Sequence, residues 1–384
     1  MTTLADLTPR RATMGARLSS LPWGLIAVLC ALAGIGAAML FSVDGATATG
    51  RASFHVLRFG FCFILMLAIA LMDPRLWLAA AYPFYALSLV LLIGVEVVGA
   101  VAMGAQRWLD VGLFRLQPSE FMKLAIILAL ARYYHDLPDS QVRLWRAHLP
   151  ALAMLAAPAA LIMLQPDLGA ALIISAGGVA VAFLAGLPLS MVATGAAAAA
   201  VAAPLAFFFV LHEFQRQRVL TFLNPDADPL GAGYHVTQAK IAIGNGGLFG
   251  AGFGQGSQAQ LDFLPEAHTD FIYATVLEEF GLMGGLFVLM LYATAIGYAG
   301  WIAVRCRHAF GRLLSAGIAV MFGLYVIINA GMIMGLLPVV GEPMPLLSYG
   351  GTAMLSVMIG YGLVMSMHLN RDAAIGPLVM RRGG

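Results

Sequence analysis

Residues 218–281 read RVLTFLNPDADPLGAGYHVTQAKIAIGNGGLFGAGFGQGSQAQLDFLPEAHTDFIYATVLEEFG. Here an apolar chain gathers its polar residues: Asp226, Asp228, Lys240, Asp262, Glu266, His268 and Asp270 lie between two apolar spans, with glycine and proline turns among them. A connection this long in a compact membrane protein is usually functional. The rest of the chain reads as a frame that holds it at one membrane face.

Working outward, the 384 residues are 61% hydrophobic and 10% charged, against about 25% charged in soluble domains. Composition alone therefore makes this a polytopic membrane protein. The net charge is +2 and the basic residues are scattered, which speaks against nucleic acid as a partner. Cys30, Cys62 and Cys306 form no pair or metal spacing and say nothing about redox compartment.

Ten apolar runs are candidates for bilayer-spanning helices, near 21–43, 54–72, 76–99, 119–134, 149–164, 167–186, 189–211, 271–302, 313–336 and 349–368, the fourth and fifth being short. The first follows Arg10, Arg11 and Arg17 and precedes Ala46-Thr47-Ala48, which resembles a signal-peptidase site. A signal h-region is only about 7–15 residues, so the run reads as an uncleaved first span. With the N-terminus inside, thirteen of the twenty-one Lys and Arg fall on inner segments: Arg10, Arg11, Arg17, Arg75, Arg132, Arg143, Arg146, Arg305, Arg307, Arg312, Arg371, Arg381 and Arg382. The expected architecture is a single all-α integral membrane domain over 1–384 with ten transmembrane helices. Its N-terminus 1–20 and C-terminus 370–384 are cytoplasmic, and a long extracytoplasmic loop, 212–270, joins helices 7 and 8. The seventh run is mostly alanine, and its failure to span would invert everything after it.

Four segments combine turn residues with polar groups: 104–123 (GAQRWLDVGLFRLQPSEFMK), Gln165-Pro166-Asp167, the long loop, and 337–352 (LPVVGEPMPLLSYGGT). In the ten-span topology all four fall on the outer side. No nucleotide is available there, and the chain has no G-x-x-x-x-G-K-[ST], G-x-G-x-x-G or H-E-x-x-H motif. An enzyme on that face needs a substrate carrying its own activation, and a sugar on a lipid diphosphate meets that need. Transfer from it requires a base for the acceptor hydroxyl and positive charge for the departing diphosphate. Candidate cations are Arg107, Lys123, Arg216, Arg218 and Lys240. Carboxylates such as Asp167 are alternatives that would hold a divalent ion, Mg or Mn, doing the same work; no cofactor is required by the sequence.

Each candidate also has a structural reading. Asp270 starts an apolar helix and fits an N-cap, where the helix terminus would lower its pKa and weaken it as a base unless burial or another carboxylate pushes back. Glu120 and Lys123 are one helical turn apart and pair on one face, either as a surface pair or as part of a polar pathway. Trp108 suits an interfacial anchor as well as a substrate contact. Glu278 and Glu279 fall about 12 Å inward of Asp270 on a regular helix, with Glu279 pointing away from it. The glycines of 244–256 read as a flexible loop or as a re-entrant segment against the membrane. Ser348-Tyr349-Gly350-Gly351 also suits the plain start of the tenth span.

The stretches QPSEFMKLA (117–125), QPDLG (165–169), FLNPDADPLGAGYHVTQAKIAIGNGGLFG (222–250), FLPEAHTDFIYATVLEEFG (263–281) and GLLPVVGEPMPLLSYGG (335–351) together resemble the SEDS proteins (shape, elongation, division and sporulation), in particular their RodA-like branch. The resemblance covers nearly all of the chain from the second span onward. It implies a peptidoglycan glycosyltransferase that polymerises lipid II at the outer face of the bacterial inner membrane, among membrane lipids. It also implies a class B penicillin-binding protein and other elongation-complex proteins as partners. By motif it makes Asp270 the essential acid, puts Glu120, Lys123 and Asp167 in a polar cavity, and gives Trp108 a functional position. Glu342 departs from the pattern, which has a small apolar residue in this turn; a carboxylate there bears on the partner contact or on cation binding. A lipid flippase is the rival activity, but transporters tend to place polar sites near mid-bilayer between repeated halves. Here the polar motifs sit at one edge and no repeat is visible.

Overall fold

The apolar runs become helices close to where the sequence places them. A computed structural model describes residues 13–45, 47, 50–102, 105–110, 112, 115–142, 144–209, 211, 213–224, 232–261, 263, 264 and 266–376. Asp226, Asp228, Asp262, Gly104, Ala46, Ala48, Arg10, Arg11, Arg143, Arg381 and Arg382 lie outside the described residues. After a short α1 (Met14–Ser19) come α2 (Trp23–Val43), α3 (Arg51–Ala70) and α4 (Pro74–Val98). Strands β1 (Ala100–Ala102), β2 (Ala105–Asp110) and β3 (Arg115–Leu116) follow, then α5 (Pro118–Asp136), α6 (Asp139–Val142), α7 (Leu149–Leu164), α8 (Leu168–Ala185) and α9 (Leu189–Phe209). The polar region holds α10 (Glu213–Leu223), α11 (Ala232–Gly246) and α12 (Ser257–Gln260). The chain closes with α13 (Ile272–Arg305), α14 (Ala309–Ile333) and α15 (Gly351–Leu369).

Among the described residues, nine helices are long and apolar enough to cross a membrane. The 19-residue α5 is too charged for that set because it carries Glu120, Lys123, Arg132 and Asp136. Even so, α5 is buried along most of its length, packed among α4, α8 and α14. The alanine-rich α9 has 21 residues and no buried side chain, so it lies at the periphery. At 1.5 Å per residue it is roughly 32 Å long, the thickness of a bilayer core. Phe54, Leu57, Phe61 and Ile64 are exposed along one side of α3, which is stable only against lipid.

Arginines gather at one end of the bundle. Arg17 reaches Asn370, Arg75 reaches the Ala374 carbonyl, Arg132 pairs with Asp136, and Arg307 pairs with Asp372. The opposite end holds the polar segments. There the structure adds an antiparallel sheet, ordered β1-β2-β3, to the helices, and the described residues of the 212–270 connection include the helices α10, α11 and α12. The glycine-rich turn after α11 lies against a break in α13. Gly281 has φ 67°, and the backbone groups freed there are satisfied by that turn: Ala251 and Gly252 donate to the Glu278 and Glu279 carbonyls, and Leu282 and Met283 donate to those of Gly247 and Leu248. A β-carbon on Gly250 would sit 2.1 Å from the Glu279 carbonyl oxygen, so only glycine allows this approach.

Candidate active site

Helix α5 starts with Pro118 in its first turn, where the missing N–H costs nothing. Its Glu120 and Lys123 then share the buried face. Lys123 Nζ donates to Glu120 Oε1 at 2.8 Å, to Tyr325 Oη at 2.8 Å and to Glu342 Oε2 at 2.9 Å. An ammonium has three donors, and all three are used. Tyr325 and Ser356 in turn donate to Glu120 Oε2, at 2.5 and 3.0 Å. Lys123 is thus a buried, saturated cation rather than one that already points at open space. Glu342 is buried and turned inward to it, so its carboxylate offers no surface to a partner.

Asp167 begins α8 as its N-cap, accepting from Ala170 N at 3.2 Å through Oδ1. Its Oδ2 accepts from Gln117 Nε2 at 3.4 Å and lies 3.9 Å from Arg107 Nε. Arg107, on β2, also donates to the carbonyls of Gln165 and Pro166, so the sheet pins this turn. Among the described residues, no group of three or more His, Cys, Asp or Glu is arranged to hold a metal ion.

Asp270 lies two residues before α13. The N-cap is Phe271, and no side chain caps this helix, so the carboxylate is not spent on capping. Burial, then the nearby Glu266 carboxylate, push its pKa up from 3.8 to about 6, while Arg218 and Arg107 pull the other way. That is the push a general base needs against the helix terminus. The Asp270 carbonyl accepts from Asn329 Nδ2 at 2.9 Å, and the same amide donates to the Glu342 carbonyl at 2.8 Å. Gly341, at φ 75°, brings backbone against the acid; a β-carbon there would lie 3.5 Å from Asp270 Oδ2 and 3.9 Å from Arg218 Nη1. Arg218 reaches this point from α10, across a cleft it shares with Pro166, Gln215 and residues 338–340. Ser348 Oγ donates to the Thr269 carbonyl, and Tyr349 N to that of His268, which ties the 336–350 segment to the His-Thr-Asp turn.

The site therefore joins Asp270, Arg218, Arg107 and Asp167 on one side to Glu120, Lys123 and Glu342 on the other. It does not gather every candidate. Lys240 is exposed, its Cε and Nζ lying beside Gly335. Arg216 pairs with Glu213 at 3.9 Å and donates to the Phe208 carbonyl. Trp108 is half-buried on β2. Glu278 accepts from Gln258 N and Ser257, and Glu279 from Ser42, so both brace the α13 break. Sequence reasoning missed Tyr325, Asn329 and Ser356. A tyrosine and an asparagine four residues apart in an apolar run mark one polar stripe, and that signal was available.

Fold and site together define a multi-pass membrane protein with a buried ionic cluster at one end of its bundle. The model for the FtsW, RodA and SpoVE family, described as cell cycle protein, matches residues 22–373, and the chain belongs to this family. It is 41% identical over 348 residues to peptidoglycan glycosyltransferase MrdB of Escherichia coli, covering 90% of this chain and 93% of that one. It is 35% identical over 364 residues to a probable peptidoglycan glycosyltransferase FtsW of Trichlorobacter lovleyi, covering 91% and 94%. Among solved structures it resembles a chain from work described as "Structural coordination of polymerization and crosslinking by a peptidoglycan synthase complex", with a TM-score of 0.79, 32% identity and coverage of 92% and 99%. It also resembles the rod shape determining protein RodA of Thermus thermophilus, with a TM-score of 0.70, 30% identity and coverage of 92% and 98%.

Proposed function

We propose that this chain is a peptidoglycan glycosyltransferase that polymerises lipid II during cell elongation, in the bacterial cytoplasmic membrane with its site on the outer face. Kinship with MrdB and RodA supports the activity, and the arginines at the opposite end of the bundle support the sidedness. The observation that carries the chemistry is Asp270, a half-buried carboxylate that caps no helix and is raised to about 6 beside Arg218 and Arg107.

In the reaction, Asp270 takes the proton from the 4-hydroxyl of the acceptor sugar as that oxygen attacks the anomeric carbon of the donor. The bond from that carbon to the lipid diphosphate breaks with inversion, and the diphosphate leaves with the electron pair. Arg218 and Arg107 stabilise its charge, while Lys123, held by Glu120, sets the local field from inside the bundle. A class B penicillin-binding protein is the partner this reading assigns, by analogy with the synthase complex that the chain resembles.

Purified protein in liposomes separates this activity from lipid translocation. Polymer made from externally supplied lipid II is the expected result. Head-group transfer across the bilayer without polymer would replace the transferase by a flippase.

A further inference from the structure

Position 342 is a junction. The Glu342 carboxyl reaches Lys123 Nζ at 2.9 Å, and its carbonyl shares the Asn329 amide with the carbonyl of Asp270. Its neighbour Gly341 forms the wall beside Asp270 Oδ2 and Arg218. Gly169 of the QPDLG turn makes room for it, since a β-carbon there would fall 2.7 Å from Glu342 Cγ. A carboxyl only 3% exposed is costly unless it is paired, and here its pairing ties the 336–350 segment to α5.

We propose that Glu342 is a positioning residue for the transfer: by occupying the third donor of Lys123 it holds the 336–350 segment, and with it the wall of the site, against Asp270. The proposal rests on the transferase reading. The groups facing Glu342 are Lys123 and Glu120 from α5, Asp167 before α8 and Tyr325 from α14. Burial, with Asp167 and Glu120 nearby, raises its pKa from 4.5 to about 8 despite Lys123. The carboxyl therefore ionises as pH rises through about 8. Above pH 8 it gains a negative charge near Asp167, which repels an anionic substrate group bound there.

Two variants test this. Glu342→Gln keeps an acceptor for Lys123 but cannot ionise, and Glu342→Leu removes the acceptor at similar volume. The expected kcat at pH 7 is within about threefold of wild type for Glu342→Gln and down roughly tenfold or more for Glu342→Leu, with KM for lipid II little changed in both. Wild-type KM should climb as pH rises past about 8, and that of Glu342→Gln should stay level. Wild-type kcat in Glu342→Leu, or the same alkaline rise of KM in Glu342→Gln, overturns the proposal; if Glu342→Leu does not fold, the KM comparison decides.

A third readout needs no turnover. A carboxyl with a raised folded-state pKa contributes stability that is full below 4.5 and lost as pH rises through about 8. Wild type should therefore lose melting temperature relative to Glu342→Gln between about pH 4.5 and 8 and run parallel to it above that. Curves parallel throughout overturn the proposal. A chain that shows this divergence and makes no polymer at pH 7 refutes the transferase reading and keeps the Lys123 tie.

Discussion

Replacing Asp270 by Asn keeps the shape of the side chain and removes its charge. The shift from 3.8 to about 6 means that the fold disfavours the ionised carboxylate. At about 1.4 kcal/mol per pK unit, and allowing for the partial solvent contact of the side chain, the ion costs the fold roughly 2–3 kcal/mol at neutral pH. The sign follows from linkage: the contribution of a group with a raised pKa is full below 3.8 and lost as pH rises through about 6. Asp270→Asn should therefore match wild-type stability near pH 4 and exceed it at pH 7 and above, with no capping hydrogen bond to lose because Phe271 is the uncapped N-cap. Melting curves in detergent across this range read the effect. Turnover of the same well-folded protein on lipid II should fall about a hundredfold or more, the scale of a lost general base. Near-normal polymer from Asp270→Asn would falsify the assignment of the base and turn attention to Glu120 or Asp167. A variant less stable than wild type at pH 7 would refute the burial argument.

Lys123→Met leaves Glu120 and Glu342 buried without their shared cation, and breaking such a group typically costs about 3–5 kcal/mol. It should abolish polymerisation and lower the melting temperature while the chain still inserts and binds its partner. Wild-type turnover in that variant would reduce Lys123 to a structural residue. For topology, a cysteine at the exposed Ser257, in a background lacking Cys30, Cys62 and Cys306, should react with an impermeant maleimide in spheroplasts, and one at Arg146 should not. The reverse pattern would invert the bundle and move the site to the cytoplasmic face.

Helix positions were legible because length and apolarity are local properties. The expected spans at 21–43 and 149–164 become Trp23–Val43 and Leu149–Leu164, and the Glu120–Lys123 pair followed from helical spacing alone. Contacts between distant segments were not legible in this way. Nothing local tells that Glu342 meets Lys123 across 219 positions, or that Glu278 and Glu279 serve the broken helix rather than the site. The glycine-rich run near 250 looks like loop until the α13 break supplies its hydrogen-bond partners. Asp270 looked like a cap by its place before an apolar run, and only the position of Phe271 separates the two roles. Arg107 and Asp167 were expected to serve the substrate, yet both also hold the QPD turn, a duty their residue types do not announce.

The most direct test is the pH dependence of kcat/KM for lipid II polymerisation by the purified chain between pH 4.5 and 7. This ratio reports the free enzyme, so its acid limb follows the ionised fraction of Asp270. The account predicts a plateau near neutrality and a tenfold fall per pH unit below about 6. A profile that stays flat down to pH 4.5 would contradict it.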